Sequence, residues 1–193
     1  MNQIMNESKT GQEVKVESEK NKGRLLIFTG EGKGKTTAAI GLAVRAAGHG
    51  QKVFLLQFLK SGRPTGEKKG LLYIPGIELV SGGLGFLPSQ RSEAFKAHQE
   101  TAQKSLELAQ EVLQSGKYDL VILDEIGTAM AKGVLSEDQV LEVIRQKKEK
   151  THLVLTGRGI SDRLMAQADT VTQMYSLKHG LQQGLKSQKG IEF

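Results

Sequence analysis

The sequence predicts an α/β domain built on a mostly parallel β-sheet flanked by helices. Three observations carry that expectation. Several short runs are apolar on both faces, the composition of strands in a sheet covered on two sides. Segments with apolar residues at helical spacing alternate with those runs. Finally, the first such run passes into a helix through a glycine-rich turn, "TGEGKGKTT", residues 29–37.

Taken in order, residues 1–22 mix Glu and Lys with few apolar side chains and read as a polar N-terminal tail, flexible or ordering on a partner. The remainder, residues 23–193, forms the domain. Leu25 to Phe28 make a short buried strand. In the helix after the glycines, Ile40, Ala43, Val44 and Ala47 share a face, and Gly48 is placed to end it. Residues 52–60, "KVFLLQFLK", give a second strand, residues 62–70 a loop, and residues 77–80 a further short strand. Residues 81–91, "SGGLGFLPSQR", are too rich in glycine for regular structure. A long helix over 92–114 carries the stripe Phe95, Ala102, Leu106, Ala109, Leu113 and is closed by Gly116. Residues 118–123 form a buried strand that ends in two acids, Asp124 and Glu125. Ser136 and Gln139 make a capping box for a helix running to about Lys148. "THLVLTGRG", residues 151–159, holds another strand, Ser161 caps a short helix, and "DTVTQMY", residues 169–175, holds the last strand.

Composition narrows the function. With 193 residues and 21.0 kDa, one domain is the simplest organisation. The chain has no cysteine, which excludes disulfides, thiolate metal sites and cysteine nucleophiles. No apolar run approaches the roughly 20 residues of a membrane helix, and the N-terminus does not read as a secretory signal, so the expected location is cytoplasmic and no membrane partner is expected. The net charge of +6 suits a polyanionic partner. Aromatics are only 5% of the chain and are not interleaved with the cations, which argues for a small polyanion over nucleic acid.

In open α/β sheets ligands sit beyond the carboxyl ends of the strands. Three such ends here carry functional groups: residues 29–37, Asp124 with Glu125, and residues 156–159. The turn departs from the usual phosphate-loop spelling G-x-x-x-x-G-K-[ST], because Thr29 stands where the first glycine belongs. Gly30, Gly32 and Gly34, with Glu31 and Lys33 between them, still let backbone N–H groups turn inward ahead of a helix N-terminus. Lys35 can reach phosphate oxygens and Thr36 can offer a hydroxyl to Mg²⁺. Asp124 and Glu125 follow a hydrophobic strand, the usual place for an acid that holds Mg²⁺ or its water shell. Sequence does not decide which of the two binds directly. Arg158, between two glycines, is either a phosphate clamp or a surface arginine in a turn. His49, His98, His152 and His179 share no metal-ligand spacing; the first three suit capping or structural roles, and His179 stays unplaced.

Several of these stretches occur together in one family. "FTGEGKGKTTAAIGLAVRAAGHGQKV", "LQFLKS", "LVILDEI", "VLTGRG", "ADTVTQM", "LKHG" and "GLKSQKGIEF" resemble, in order, the corrinoid adenosyltransferases of the CobA/BtuR type. The likeness runs from about Gly23 to the C-terminus. It implies a RecA-like P-loop fold, a homodimer, and transfer of the 5′-deoxyadenosyl group of ATP to a reduced corrinoid such as cob(I)alamin, with release of triphosphate. It implies a nucleotide site made by Gly30, Glu31, Gly32, Lys33, Gly34, Lys35, Thr36, Thr37 and Arg158. Lys35, Thr36 and Glu125 are then the catalytic set. Mg²⁺, with Mn²⁺ as the alternative, is handled by Thr36, Asp124 and Glu125. Phe86 falls on the corrinoid side, and a flavoprotein reductase is the implied electron source. Family members commonly carry Gly-Phe-Thr-Trp in the loop near the corrinoid; here the stretch is Gly85-Phe86-Leu87-Pro88, and the chain has no tryptophan. The competing readings are a P-loop ATPase or kinase acting at the γ-phosphate and a nucleotide- or corrinoid-binding carrier.

Overall fold

A computed structural model describes residues 22–191, with only the backbone described at 181 and 182. All but one residue of the polar tail therefore lies outside the described residues, as do the last two residues of "GLKSQKGIEF". Six strands form one sheet: β1 Leu25–Thr29, β2 Val53–Gln57, β3 Ile77–Ser81, β4 Leu120–Asp124, β5 His152–Thr156 and β6 Thr170–Gln173. Their spatial order is β3-β2-β4-β5-β1-β6, and every neighbouring pair is parallel. The expected α/β architecture is therefore present, with a sheet that is parallel throughout.

The double-sided apolar runs have a direct cause. Successive strand side chains face opposite ways, and here both faces are covered. Phe54, Leu56, Val121, Leu123, Leu153 and Leu155 pack into one apolar layer. Val53, Leu55, Leu120, Ile122 and Val154 pack into the other. The first layer is closed by α3 Glu93–Ser115, α4 Ile126–Ala131, α5 Glu137–Arg145 and α6 Asp162–Met165. The second is closed by α1 Lys35–Gly48 and α2 Gly66–Leu71. Phe95, Ala102, Leu106, Ala109 and Leu113 are all buried on α3, as the periodicity requires, and Gly116 ends that helix in the left-handed region.

Four expectations need correction. On α1 the buried residues are Ala39, Ala43 and Ala46, while Val44 is 42% exposed. The helix lays its smallest side chains against the sheet, a closer approach than the branched residues would allow. Gly48 is still helical, and the left-handed turn comes at Gly50. Residues 62–70 are not all loop, because α2 begins at Gly66; its seat is Leu71, 5% exposed, and the Lys60–Glu67 pair holds its first turn. The helix with the Ser136–Gln139 capping box stops at Arg145, where the N–H groups of Gln146 and Lys147 turn back onto Val143 and Ile144 carbonyls. Ser161 caps its short helix as expected.

Candidate active site

The carboxyl ends of β4, β5 and β1, neighbours in the middle of the sheet, lie side by side. β1 keeps its pairing through Thr29, whose carbonyl accepts the Met174 N–H at 2.9 Å. The residue that replaces the first glycine is thus still strand, and the turn starts one step later. Gly30 has φ 94°, and a side chain there would strike the Met174 carbonyl. Gly32 donates its N–H to that carbonyl at 2.8 Å. The turn is pressed against the end of β6, and both positions exclude a Cβ. Gly34, φ 106°, then supplies the left-handed step into α1.

Lys35 folds back over the turn and donates from Nζ to the carbonyls of Gly30 (2.6 Å) and Gly32 (2.7 Å). Burial, and next the Arg158 charge, hold its ammonium below the ordinary lysine pKa. Arg158 reaches across to Glu31, Nε to Oε2 at 3.4 Å. Both side chains are more than half exposed, so that pair is weak and readily exchanged. Glu31, Gly32, Lys33, Gly34, Lys35, Thr36, Thr37, Glu125 and Arg158 line one cleft of about 540 Å³.

Asp124 sits beneath this cleft, 1% exposed, and its carboxylate is fully engaged. Oδ1 accepts from Thr36 Oγ1 at 2.8 Å and from Thr156 Oγ1 at 2.7 Å, and Oδ2 accepts from Gln57 Nε2 at 3.2 Å. Thr156 also accepts the Glu125 N–H at 2.9 Å. That bond helps hold Glu125 at φ 64°, the only left-handed non-glycine among the described residues. Such a backbone costs on the order of 1–3 kcal/mol and persists where surrounding contacts over-determine it. Its consequence is that consecutive acids diverge, with Asp124 under Thr36 and Glu125 at the rim. Burial, then the Asp124 charge, raises the Glu125 pKa.

Glu125 also lines a second cavity, about 430 Å³, walled by Leu59, Lys60, Ser61, Arg63, Thr65, Gly85, Phe86 and Leu87. Phe86 is 96% exposed there. It stands outside the phosphate-loop cleft, with Glu125 as the residue common to both spaces.

Sequence reasoning missed the pivot role of Thr156, although that residue stood within a recognised strand end. It also missed Thr128, whose hydroxyl accepts the Arg158 N–H at 3.2 Å, and the 174–175 backbone that braces the glycines. None has a local signature, because each acts through a partner about 30 or more positions away. His152 accepts the Arg24 N–H on Nδ1, and His49 is the C-cap of α1, both far from the cleft in the fold's logic of strand ends. Among the described residues no group of three or more His, Asp or Glu is arranged to hold a metal unaided.

Comparison with known proteins agrees with this architecture. The flagellar accessory protein FlaH from Methanocaldococcus jannaschii superposes with a TM-score of 0.52 over 79% of this chain and 71% of that one. At 14% identity the likeness concerns the fold alone, and it fits the P-loop α/β fold. The chain is 38% identical over 174 residues to a corrinoid adenosyltransferase of Pseudomonas aeruginosa, covering 89% of this chain and 84% of the relative. It is 34% identical over 178 residues to corrinoid adenosyltransferases of Escherichia coli K12 and Salmonella typhimurium, covering 92% of this chain and 89% of each. A family model matches residues 21–193, nearly all of the domain and its strand-end motifs, and the chain therefore belongs to the ATP:corrinoid adenosyltransferase BtuR/CobO/CobP family.

Proposed function

We propose that this protein transfers the 5′-deoxyadenosyl group of ATP to the cobalt of a reduced corrinoid, cob(I)alamin or a relative, and releases triphosphate. The observation that carries this reading is the junction at Glu125 between a phosphate-loop cleft and a second cavity that carries Leu59, Phe86 and Leu87 on one side and polar groups on the other. A second cavity beside the loop fits transfer to an organic acceptor better than plain ATP hydrolysis. Family membership supports the same assignment.

The reaction asks little of protein nucleophiles. Cobalt(I) supplies the electron pair, the Co–C5′ bond forms, the C5′–O bond breaks, and the pair leaves on triphosphate oxygen. The protein's work is alignment and stabilisation of the leaving charge. Lys35 would exchange the Gly30 and Gly32 carbonyls for phosphate oxygens, and N–H groups of the turn other than that of Gly32, which bonds the Met174 carbonyl, would face the triphosphate. Lys33 and Arg158 add positive charge at the rim, with Glu31 releasing Arg158 to the anion. The hydroxyl of Thr36 and the carboxylate of Asp124, joined at 2.8 Å, are hard oxygen donors suited to Mg²⁺. That ion takes few protein ligands and fills its shell with phosphate and water, so the lack of a three-acid cluster is compatible with it. Mn²⁺ accepts the same donors. When bound, the ion neutralises charge on the triphosphate. Glu125 stands between the phosphates and the second substrate and would hold water or metal ligands in place there.

The same reading includes a homodimer and an external electron donor, a flavoprotein reductase, because cobalt must arrive reduced. It places the enzyme in the cytoplasm; among the described residues no helix is long and apolar enough to cross a membrane. The test is an anaerobic assay with ATP and chemically reduced cobalamin or cobinamide. A Co–C bonded product supports the proposal, and ADP with phosphate and no organocobalt product would replace it with γ-phosphate chemistry.

A further inference from the structure

The cavity beside Glu125 has a polar wall that phosphate chemistry leaves unused. Its residues 61–65, Ser-Gly-Arg-Pro-Thr, are pinned before any ligand arrives. Lys68 Nζ donates to the carbonyls of Ser61 (2.6 Å) and Arg63 (3.0 Å), and Pro64 restricts the backbone of Arg63 to extended conformations. Lys60, the neighbouring cation, is committed to Glu67 at 2.8 Å. Burial is the largest single influence and works against the ionised Glu67 carboxylate, but the hydrogen bond and charge of Lys60, a backbone N–H and Thr65 together outweigh it and keep the pKa low. Among the described residues no ion pair engages Arg63.

Thr65 gives a second, independent sign. Its Oγ1 is buried and has no hydrogen-bond partner, alone in this among the side-chain polar atoms of the described residues. The hydroxyl lies near enough to the Glu67 carboxylate to favour its ionised form, yet it completes no well-formed hydrogen bond there. Leaving such a group unpaired costs about 1–3 kcal/mol. One χ1 rotation moves a threonine hydroxyl to another side of the residue, and Thr65 lines the cavity.

A corrinoid is a flat macrocycle whose rim bears acyl side arms, either carboxamides or free carboxylates. Phe86, Leu59 and Leu87 offer apolar surface for the ring, so the polar wall falls to the rim. We propose that Arg63 and Thr65 together recognise one acyl side arm of the corrinoid, and that Arg63 favours corrinoids in which that arm is a free carboxylate. The hydroxyl bonds the arm's carbonyl oxygen, and the guanidinium takes a carboxylate through two parallel bonds. Pinning of the 61–65 backbone reduces the ordering cost of that contact. This inference rests on the adenosyltransferase reading and adds the specificity determinant to it.

The test is equilibrium binding of the cob(II) forms of cobyrinic acid a,c-diamide, rich in carboxylates, and of cobinamide, fully amidated, to the ATP-loaded protein, followed by absorbance. The wild type should bind the carboxylate-bearing corrinoid more tightly. Arg63→Gln should erase about tenfold of that preference, Arg63→Lys should restore part of it, and the ATP affinity should not move. Thr65→Val should weaken both corrinoids alike, roughly threefold or more, while thermal stability holds or rises because an unpaired buried hydroxyl is gone. An unchanged affinity ratio in Arg63→Gln, or unchanged corrinoid binding in Thr65→Val, overturns the inference. If the wild type binds neither corrinoid, this inference and the adenosyltransferase reading fall together.

Discussion

The hydroxyl of Thr36 donates to Asp124 Oδ1 over 2.8 Å, tying the first turn of α1 to the end of β4 across 88 positions of sequence. Thr156 donates to the same oxygen from β5. One carboxylate oxygen thereby fixes the ends of β4 and β5 and the start of α1 relative to each other. Asp124→Asn should fold, because its amide oxygen can still accept from both threonines. The Gln57 amide would need to turn over to avoid facing a donor with a donor, a small change since its other contact, from Ser81, is long at 3.5 Å. Metal titration of activity is the check: the Mg²⁺ concentration for half-maximal rate should rise about tenfold or more, with urea stability falling much less than in Asp124→Ala.

Lys35→Ala removes the cation that now bridges the Gly30 and Gly32 carbonyls. Loss of a preorganised charge at the leaving group should lower kcat by about 10²-fold or more. Circular dichroism should stay native, because Lys35 is a partly exposed residue at the start of α1. Near-normal turnover would remove the phosphate-loop role.

Phe86→Ala should weaken corrinoid binding or turnover while ATP affinity is unchanged, since Phe86 is confined to the cavity beyond Glu125. Parallel titrations with ATP and with cob(II)alamin separate the two effects. Equal losses for both ligands would mean that Phe86 serves the fold and not one substrate.

Two glycines give opposite stability predictions. Gly157 has φ 145°, and a Cβ there would lie 2.5–2.7 Å from backbone atoms of Gly127 and Thr128, so Gly157→Ala should destabilise by about 2 kcal/mol or more. Gly41 lies inside α1 with nothing within 4 Å of an added Cβ, and Gly41→Ala should stabilise by about 0.5–1 kcal/mol. Urea midpoints measure both.

His152 predicts a pH effect away from the active site. Burial, then the Lys147 and Arg24 charges, lowers its pKa below the ordinary histidine value. The unfolded chain therefore binds the proton more readily than the folded one. This contribution is present above about pH 6.5 and is lost as the pH falls toward the lowered value. His152→Asn keeps an acceptor for the Arg24 N–H and cannot titrate. Urea unfolding at pH 7.5 and pH 5.5 should show a smaller difference in the variant than in the wild type.

Much of this molecule was legible in its sequence because the decisive signals are local. Strands buried on two faces announce themselves as continuous apolar runs, and the turn from Gly30 to Thr36 requires glycine at fixed places. The stripe on α1 was misread because periodicity alone cannot tell an alanine face pressed on a sheet from a branched face one residue away. Residues 66–71 escaped because two glycines mask a helix held by Leu71 and the Lys60–Glu67 pair. The pivot role of Thr156, and the parts played by Thr128 and the 174–175 backbone, arise only through contacts made by folding, so no local pattern betrays them. The divergence of Asp124 and Glu125 depends on a left-handed glutamate, which no sequence rule favours.

The identity of the phosphate product tests the central claim most directly. Wild-type protein, ATP and chemically reduced cobalamin, mixed under anaerobic conditions and followed by phosphorus NMR, should yield intact triphosphate in step with the Co–C bonded product. ADP and inorganic phosphate, formed at the same rate with or without the corrinoid, would contradict it.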